Sequence, residues 1–143
     1  MPIYCDTEFN GFGGALISLG LAHTNGETWY EVWPLPPPAS IVPWVAENVI
    51  PILGRAPKPK AIVEGSLHDF LLRHQGETIV GDHWADFQYL MSALHGPQGI
   101  QLNCSLALQW VHSGKLYSAI PHNALADALA LMHLHQEEMA SKS

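Results

Sequence analysis

The stretch YCDTEFNGFGGALISLG, residues 4–20, places two carboxylates in what otherwise reads as the first strand of a buried sheet. The residues PIYC are strand-forming, and the glycine-rich FNGFGG predicts a turn. Side chains two positions apart in a strand point to the same face, so Asp6 and Glu8 project together while Thr7 points the other way. Adjacent carboxylates repel unless a cation lies between them. The stretch therefore fits either a divalent-metal site or a polar strand edge.

The composition is that of one compact domain, residues 1–143, with 48% apolar residues. Six Lys and Arg face 13 Asp and Glu, a formal net charge of -7, which argues against a broad basic surface for long duplex nucleic acid. Cys5 and Cys104 give neither a disulfide framework nor a metal spacing, and we expect Cys5 to be a buried thiol. No apolar run reaches the roughly 18 residues of a membrane span, and no signal sequence is evident, so we expect a cytoplasmic protein.

Residue patterns predict three antiparallel strands followed by alternating helices and strands. The predicted strands are residues 2–5, 15–24, 27–33, 78–83 and 99–105, and the predicted helices are 40–53 (broken at Pro51), 64–76, 84–96, 106–114 and 121–140. Asp82 is expected to cap the helix at 84–96, and Asn123 the last helix. This order predicts an α/β fold with a mixed five-stranded sheet flanked by helices.

Two further polar groups lie at predicted helix starts. Asp86 lies in the first turns of a helix that follows a short buried strand, where an ordinary solvated acid is the plain alternative to a functional one. His122 and Asp127 are five residues apart, a spacing that turns them about 140° from each other on a continuous helix. They can share a site only if His122 precedes the helix, which Pro121 and Asn123 favour.

The order of these groups resembles the DEDDh family of 3'-5' exonucleases, which have the ribonuclease H-like fold. DTEFNG (6–11) is similar to the first family motif, DHWADFQYL (82–90) to the second and HNALADALAL (122–131) to the third. The small size and the opening DTEF are most similar to the compact group of ribonuclease T and the small exoribonucleases. Many relatives have Asn where this chain has Asp82, which we interpret as a helix cap.

The resemblance implies phosphodiester hydrolysis with two divalent cations, Mg²⁺ or Mn²⁺. By similarity, Asp6 bridges the two ions, and Glu8 and Asp127 hold the ion that activates water. Asp86 supports the second ion, and His122 is the general base. A neutral imidazole suits that role because its ordinary pKa lies near 6.5.

The implied substrate is the 3' end of single-stranded RNA or DNA, or a short oligonucleotide, with RNA preferred. Four residues are candidates to contact the terminal nucleotide, with packing or turn roles as the alternative: Thr7, Phe9, Asn10 and Trp84. One proline-containing loop holds three basic residues that either meet phosphates or stay solvated: Arg55, Lys58 and Lys60.

Two alternative functions share this fold, namely an inactive nucleic-acid-binding module and a ribonuclease H-like endonuclease. The intact acidic residues argue against the first, and the His-x4-Asp spacing argues against the second. A homodimer is also expected from the family. We expect His133 and His135 at the surface, and we expect most tryptophans in the core or at an interface, including Trp29, Trp33, Trp44 and Trp110.

Overall fold

The computed structural model describes residues 1–96, 99–100, 106–112, 114 and 116–142, and for residues 96, 99 and 100 it describes the backbone alone. A five-stranded mixed sheet has the order β3-β2-β1-β4-β7, and a separate two-stranded sheet pairs β5 with β6. The strands are β1 (Ile3–Phe9), β2 (Leu16–His23), β3 (Thr28–Val32), β4 (Thr78–Gly81), β5 (His95–Gly96), β6 (Gly99–Ile100) and β7 (Ala107–Trp110). β1, β2 and β3 are antiparallel, while β4 is parallel to both β1 and β7.

Helices flank this sheet on both faces. They are α1 (Pro43–Asn48), α2 (Lys60–Arg73), α3 (Trp84–Ala93) and α4 (Ala124–Ser141), with single 3₁₀ turns at Pro38–Ser40 and Ile50–Ile52. One face packs Ile3, Cys5 and Leu21 against residues of α2 and α3. The other packs Tyr4 and Ala22 against α4. The predicted α/β class and five-stranded mixed sheet are therefore confirmed.

The fifth strand of the sheet differs from the one expected. The segment 106–114 was predicted to be a short helix, but Ala107–Trp110 is an edge strand parallel to β4. The helix prediction is wrong because Leu106, Leu108 and Trp110 alternate with a period of two, a short pattern that periodicity alone separates poorly from a helix. Of the strand predicted at 99–105, only Gly99–Ile100 lies within the described residues, and it pairs with β5. Residues 101–105, with Cys104, lie outside them.

Several helix boundaries also shift at prolines. The helix predicted at 40–53 is confined to α1, which has Pro43 at its start and is followed by a 3₁₀ turn that contains Pro51. Proline lacks the N–H that would continue a helical hydrogen-bond ladder. α2 begins at Lys60, directly after Pro59, four residues earlier than expected. α3 ends at Ala93, before the predicted stop at Gly96.

The first turn of α4 lies directly on β2 at Gly20. A Cβ atom at Gly20 would lie 2.5 Å from the backbone nitrogen of Leu125 and 2.6 Å from the carbonyl carbon of Ala124. Gly20 is also the cross-strand partner of Asp6. The absence of a side chain at Gly20 therefore brings the start of α4 next to the carboxylates of β1. Of the helices in the described residues, none combines the length and apolarity needed to cross a membrane.

Candidate functional site

β1 carries the first two acidic residues of the site. Cys5 packs on the face that holds α2 and α3, whereas Tyr4 packs on the α4 face. Because strand side chains alternate, Asp6 and Glu8 share the α4 face with Tyr4, as their spacing predicts. Thr7 projects to the opposite side. The two carboxylates therefore face the helix whose first turn carries Asp127.

Asp86 is held in the first turn of α3 by two hydrogen bonds from Thr7. The Thr7 hydroxyl donates to Asp86 Oδ1 at 2.7 Å, and the Thr7 backbone N–H donates to the same oxygen at 3.1 Å. Asp86 is only 3% exposed. Thr7 therefore positions this buried carboxylate, and its contact with substrate stays a prediction.

The start of α4 is fixed by Asn123, the predicted N-cap. Its Oδ1 accepts the N–H of Ala126 at 3.0 Å, and its Nδ2 donates to the carbonyl of Ile52 at 3.2 Å. His122 lies just before the helix with a positive φ of 70°. Its backbone N–H donates to Asp127 Oδ2 at 3.1 Å. The backbone turn at His122 thus brings His122 and Asp127 into one site, which a continuous helix would not allow.

The five predicted catalytic residues converge with a sixth group, the carboxylate of Asp82. Ligand atoms of Glu8, His122 and Asp127 all lie within 4.8 Å of one another, and so do those of Asp6, Asp82 and Asp86. The two groups are neighbours because Glu8 and Asp6 are two residues apart on β1.

Asp82 does not cap α3, contrary to the sequence interpretation. His83 is the N-cap, and its ring Nδ1 accepts the backbone N–H of Ala85 at 3.1 Å. A histidine nitrogen can replace the usual carboxylate or hydroxyl cap because it also carries a lone pair. One signal in the sequence pointed to a role of Asp82 in the site: it is an acid at a position of the second motif where many relatives have Asn.

Burial raises the pKa of the carboxyl groups in this cluster. The pKa of Asp6 is well above its usual range, first because of burial and then because of the charge of Asp86. Burial, followed by the charges of Asp127 and Asp86, raises the pKa of Glu8 to about 8. Burial raises the pKa of Asp86 to about 7, although the Thr7 hydrogen bonds act in the opposite direction. The pKa of Asp127 is also raised by burial.

These side chains fit a pair of divalent cations. Oδ2 of Asp6 and Oδ2 of Asp86 are buried and have no hydrogen-bond partner among the described residues. None of the ion pairs within the described ranges involves Asp6, Glu8, Asp86 or Asp127. Buried charges in proteins are paired or coordinate metals, and carboxylate oxygens suit Mg²⁺ and Mn²⁺. A cation in the group of Asp6, Asp82 and Asp86 would satisfy both of these oxygens, and the group of Glu8, His122 and Asp127 offers ligand atoms for a second cation.

A cavity of about 210 Å³ opens next to the acidic cluster. Aromatic side chains line it together with the carboxylates: Phe9, Phe12 and His83. Phe9 is fixed by stacking on Tyr89 with ring centroids 4.6 Å apart, while Phe12 is 79% exposed. Trp84, a predicted substrate contact, is 52% exposed and lies against His83. Sequence reasoning missed Phe12 because a phenylalanine in a glycine-rich turn carries no distinctive spacing.

Asn10 has a structural role at the end of β1, and its contact with substrate stays a prediction. Its Nδ2 donates to the carbonyl of Ser40 and its Oδ1 accepts the N–H of Val42, both at 2.8 Å. This clamp holds the segment before α1 against the end of β1. α1 in turn presents Trp44, whose half-exposed ring meets the His122 ring edge-on at a centroid distance of 4.9 Å. Nothing in the sequence linked Trp44 to His122.

The basic loop is tied to the sheet by ion pairs. Lys58 and Arg55 both pair with Glu31 of β3, at 2.9 and 3.4 Å. Arg55 also donates to the Tyr30 carbonyl. Lys60 belongs to the first turn of α2. Arg55 and Lys58 nevertheless remain 46% and 42% exposed, so phosphate contact and a solvated loop both stay predictions.

A second group of histidines and acids lies at the other end of β1, next to Ile3. His23 Nδ1 accepts the backbone N–H of Asn25 at 2.9 Å, so its proton resides on Nε2, which donates to Glu77. His74 Nε2 hydrogen-bonds Glu27 at 2.6 Å. With its Nδ1 lone pair used and its Nε2 protonated, His23 has no lone pair for a metal. This group is a hydrogen-bonded network that ties the β2–β3 turn to the end of α2.

The other aromatic and histidine predictions are confirmed in part. Trp29 and Trp33 are buried, whereas Trp44 and Trp110 are exposed. His133 is exposed, but His135 is half-buried and its Nδ1 lies 2.6 Å from the Tyr4 hydroxyl.

Comparison with models of known protein families and with curated proteins gives no match to this chain.

Proposed function

We propose that this chain is a metal-dependent 3'-5' exonuclease of the DEDDh type, built on a ribonuclease H-like fold. One observation carries the proposal: Asp6, Glu8, Asp86 and Asp127 meet beside His122, although they come from one strand and the starts of two helices. The chain order and the spacing of these residues resemble the three family motifs. The mixed sheet with three antiparallel strands first is compatible with that fold.

The acidic residues would hold two divalent cations, Mg²⁺ or Mn²⁺. Asp6 belongs to the group with Asp82 and Asp86. Burial raises the pKa of Asp6 most, and Glu8 and Asp127 are close enough for their charges to raise it further. When bound, such ions neutralise charge on the phosphate and lower the pKa of the attacking water. Oδ2 of Asp6 and Oδ2 of Asp86 support this role, because both are buried without a hydrogen-bond partner among the described residues.

His122 would take the proton from the attacking water. Its ring lies beside Glu8 and Asp127, and its backbone is fixed by the hydrogen bond to Asp127. Water attacks the terminal phosphorus, and the bond from phosphorus to the 3' oxygen of the preceding nucleotide breaks. The products are a nucleoside 5'-monophosphate and a strand shortened by one residue that ends in a 3' hydroxyl.

Exposed aromatic side chains around the site favour a single-stranded substrate. Phe12, Trp84 and Trp44 present half or more of their surface to solvent near the carboxylates or His122. Stacking on aromatic rings suits unpaired bases and tolerates any sequence. We propose RNA over DNA from the similarity to the small exoribonucleases. The net charge of -7 agrees with a short contact at a strand end better than with a long duplex footprint.

The test uses 5'-labelled single-stranded RNA and DNA, each incubated with Mg²⁺, Mn²⁺ or chelator. The expected result is a ladder that shortens from the 3' end, that requires metal, and that His122→Ala slows by about 100-fold or more. His133→Ala, an exposed histidine on α4, is the matched control and should retain wild-type activity. Internal cuts, indifference to chelator or full activity of His122→Ala would refute the proposal.

A further inference from the structure

Asp82 occupies a defined position beside Asp6 and Asp86. It follows the last residue of β4, and its carbonyl accepts the indole N–H of Trp110 at 3.1 Å, which ties this turn to the neighbouring strand β7. The cap of α3 is supplied by His83. The Asp82 carboxylate reaches the other two acids, since ligand atoms of Asp6, Asp82 and Asp86 lie within 4.8 Å of one another.

A second observation concerns two carboxylate oxygens of this group, one on Asp6 and one on Asp86. Asp86 is only 3% exposed, and both hydrogen bonds from Thr7 go to its Oδ1. Asp86 Oδ2 and Asp6 Oδ2 are buried without hydrogen-bond partners in the described part of the chain. An unpaired buried carboxylate oxygen is unfavourable unless it is protonated or meets a cation. A third carboxylate at the same point increases the repulsion that a cation would relieve.

We propose that Asp82 is a third carboxylate ligand, direct or through one water, of the cation held between Asp6 and Asp86. This group has three carboxylates, whereas the group at Glu8 has two carboxylates and one imidazole. The larger negative charge makes the Asp82 group the first of the two to fill as the concentration of Mg²⁺ or Mn²⁺ rises. The inference rests on the two-cation site of the proposed function, and it assigns a role that the resemblance does not include.

Isothermal titration of Mn²⁺ into metal-free protein tests the inference without any substrate. Asp82→Asn keeps the size of the side chain and removes its charge. We expect the affinity of the tighter Mn²⁺ event to fall by about 10- to 100-fold, the range typical when a supporting group of a metal site is lost. Asp69→Asn removes an exposed acid from α2 and should leave the titration unchanged.

The thermal unfolding of the metal-free variants separates a metal-binding role from a structural one. If Asp82 is a ligand, Asp82→Asn relieves repulsion, and its unfolding midpoint without metal equals or exceeds that of the wild type. A lowered midpoint with wild-type Mn²⁺ affinity would overturn the inference. Asp6→Asn distinguishes the two proposals. If Asp6→Asn abolishes the tighter Mn²⁺ binding while Asp82→Asn leaves that binding unchanged, the inference about Asp82 fails and the metal site of the proposed function stands. No Mn²⁺ binding by the wild type would overturn both.

Discussion

Replacing Gly20 by alanine tests how the last helix brings its residues to the site. The added Cβ would lie 2.5 Å from the Leu125 nitrogen and 2.6 Å from the Ala124 carbonyl carbon. Non-bonded atoms are at their optimal separation near 3.5–4.0 Å, so the first turn of α4 must move outward by about 1 Å. Backbone atoms cannot rotate away as a flexible side chain would, and the shift therefore passes to Asp127.

Two effects of Gly20→Ala are expected. Overpacking a buried contact lowers the free energy of unfolding by about 1–3 kcal/mol, which urea denaturation measures. A 1 Å misplacement of catalytic groups costs about 100-fold in rate, so the metal-dependent exonuclease rate should fall by that order if the proposed function is correct. The unfolding measurement does not depend on the function, and it tests the packing by itself.

Gly65→Ala is the matched control. Gly65 lies inside α2, and a Cβ there would meet nothing within 4 Å. Alanine in a helix interior is more favourable than glycine by up to about 1 kcal/mol, so this variant should be slightly more stable and fully active. A Gly20→Ala protein with wild-type stability and wild-type rate would refute the close packing of α4 on β2.

Three further variants or conditions probe individual contacts. Thr7→Val removes the hydroxyl hydrogen bond to Asp86 and should lower the free energy of unfolding in urea by about 1–3 kcal/mol. Thr7→Ser retains the hydroxyl and is the control. Equal stability of the two variants would contradict the role of the Thr7 hydroxyl in holding Asp86. Trp44→Ala removes the ring that lies against His122 and should lower kcat by about tenfold with unchanged Mn²⁺ affinity. Trp44→Phe should retain most of the activity. An unaltered kcat in Trp44→Ala would show that Trp44 does not act in the site. Without metal, the free energy of unfolding should fall by on the order of several kcal/mol as pH rises from about 4 through the raised pKa values, about 7 for Asp86 and about 8 for Glu8. Mn²⁺ should reduce this fall. Thermal melts at constant ionic strength measure the slope, and a rise in stability over that interval would contradict the burial of these groups.

The sign of the pH effect follows from the direction of the shifts. Burial favours the neutral form of these carboxyl groups over the ionised form in the folded protein, whereas the unfolded chain leaves them with their ordinary pKa. Their contribution to stability is complete below the ordinary carboxyl pKa and is lost once pH exceeds the raised values. Metal binding reverses the preference, since the cations require the ionised forms.

Local patterns were sufficient to predict the carboxylates and the helix that faces them. A period of two placed Asp6 and Glu8 on one face of β1, and Asn123 identified the start of α4. The dipeptide Asn25–Gly26 is typical of a tight hairpin turn with positive φ, and Gly26 has a φ of 98°. Each of these features depends on a few consecutive residues, which is why the sequence was sufficient.

Features decided by distant contacts were not predictable. The segment Ala107–Trp110 forms the strand β7 because it pairs in parallel with the edge of β4. Its partner β4 lies before α3 in the chain, so the pairing is not a local feature of the sequence. His83 rather than Asp82 caps α3, although both stand where a cap is expected. Trp44 reaches His122 only because Asn10 clamps the segment before α1. These contacts depend on the assembled sheet, and no single segment of the sequence determines them.

The identity of the released product tests the central claim most directly. Single-stranded RNA with a free 3' hydroxyl is digested in H₂¹⁸O with Mn²⁺, and the products are analysed by mass spectrometry. Hydrolysis at a two-metal site predicts nucleoside 5'-monophosphates that each carry one ¹⁸O atom, with no product in chelator. Internal fragments, 3' phosphates or 2',3'-cyclic phosphates would contradict the proposal that these acidic residues and His122 form a 3'-5' exonuclease site.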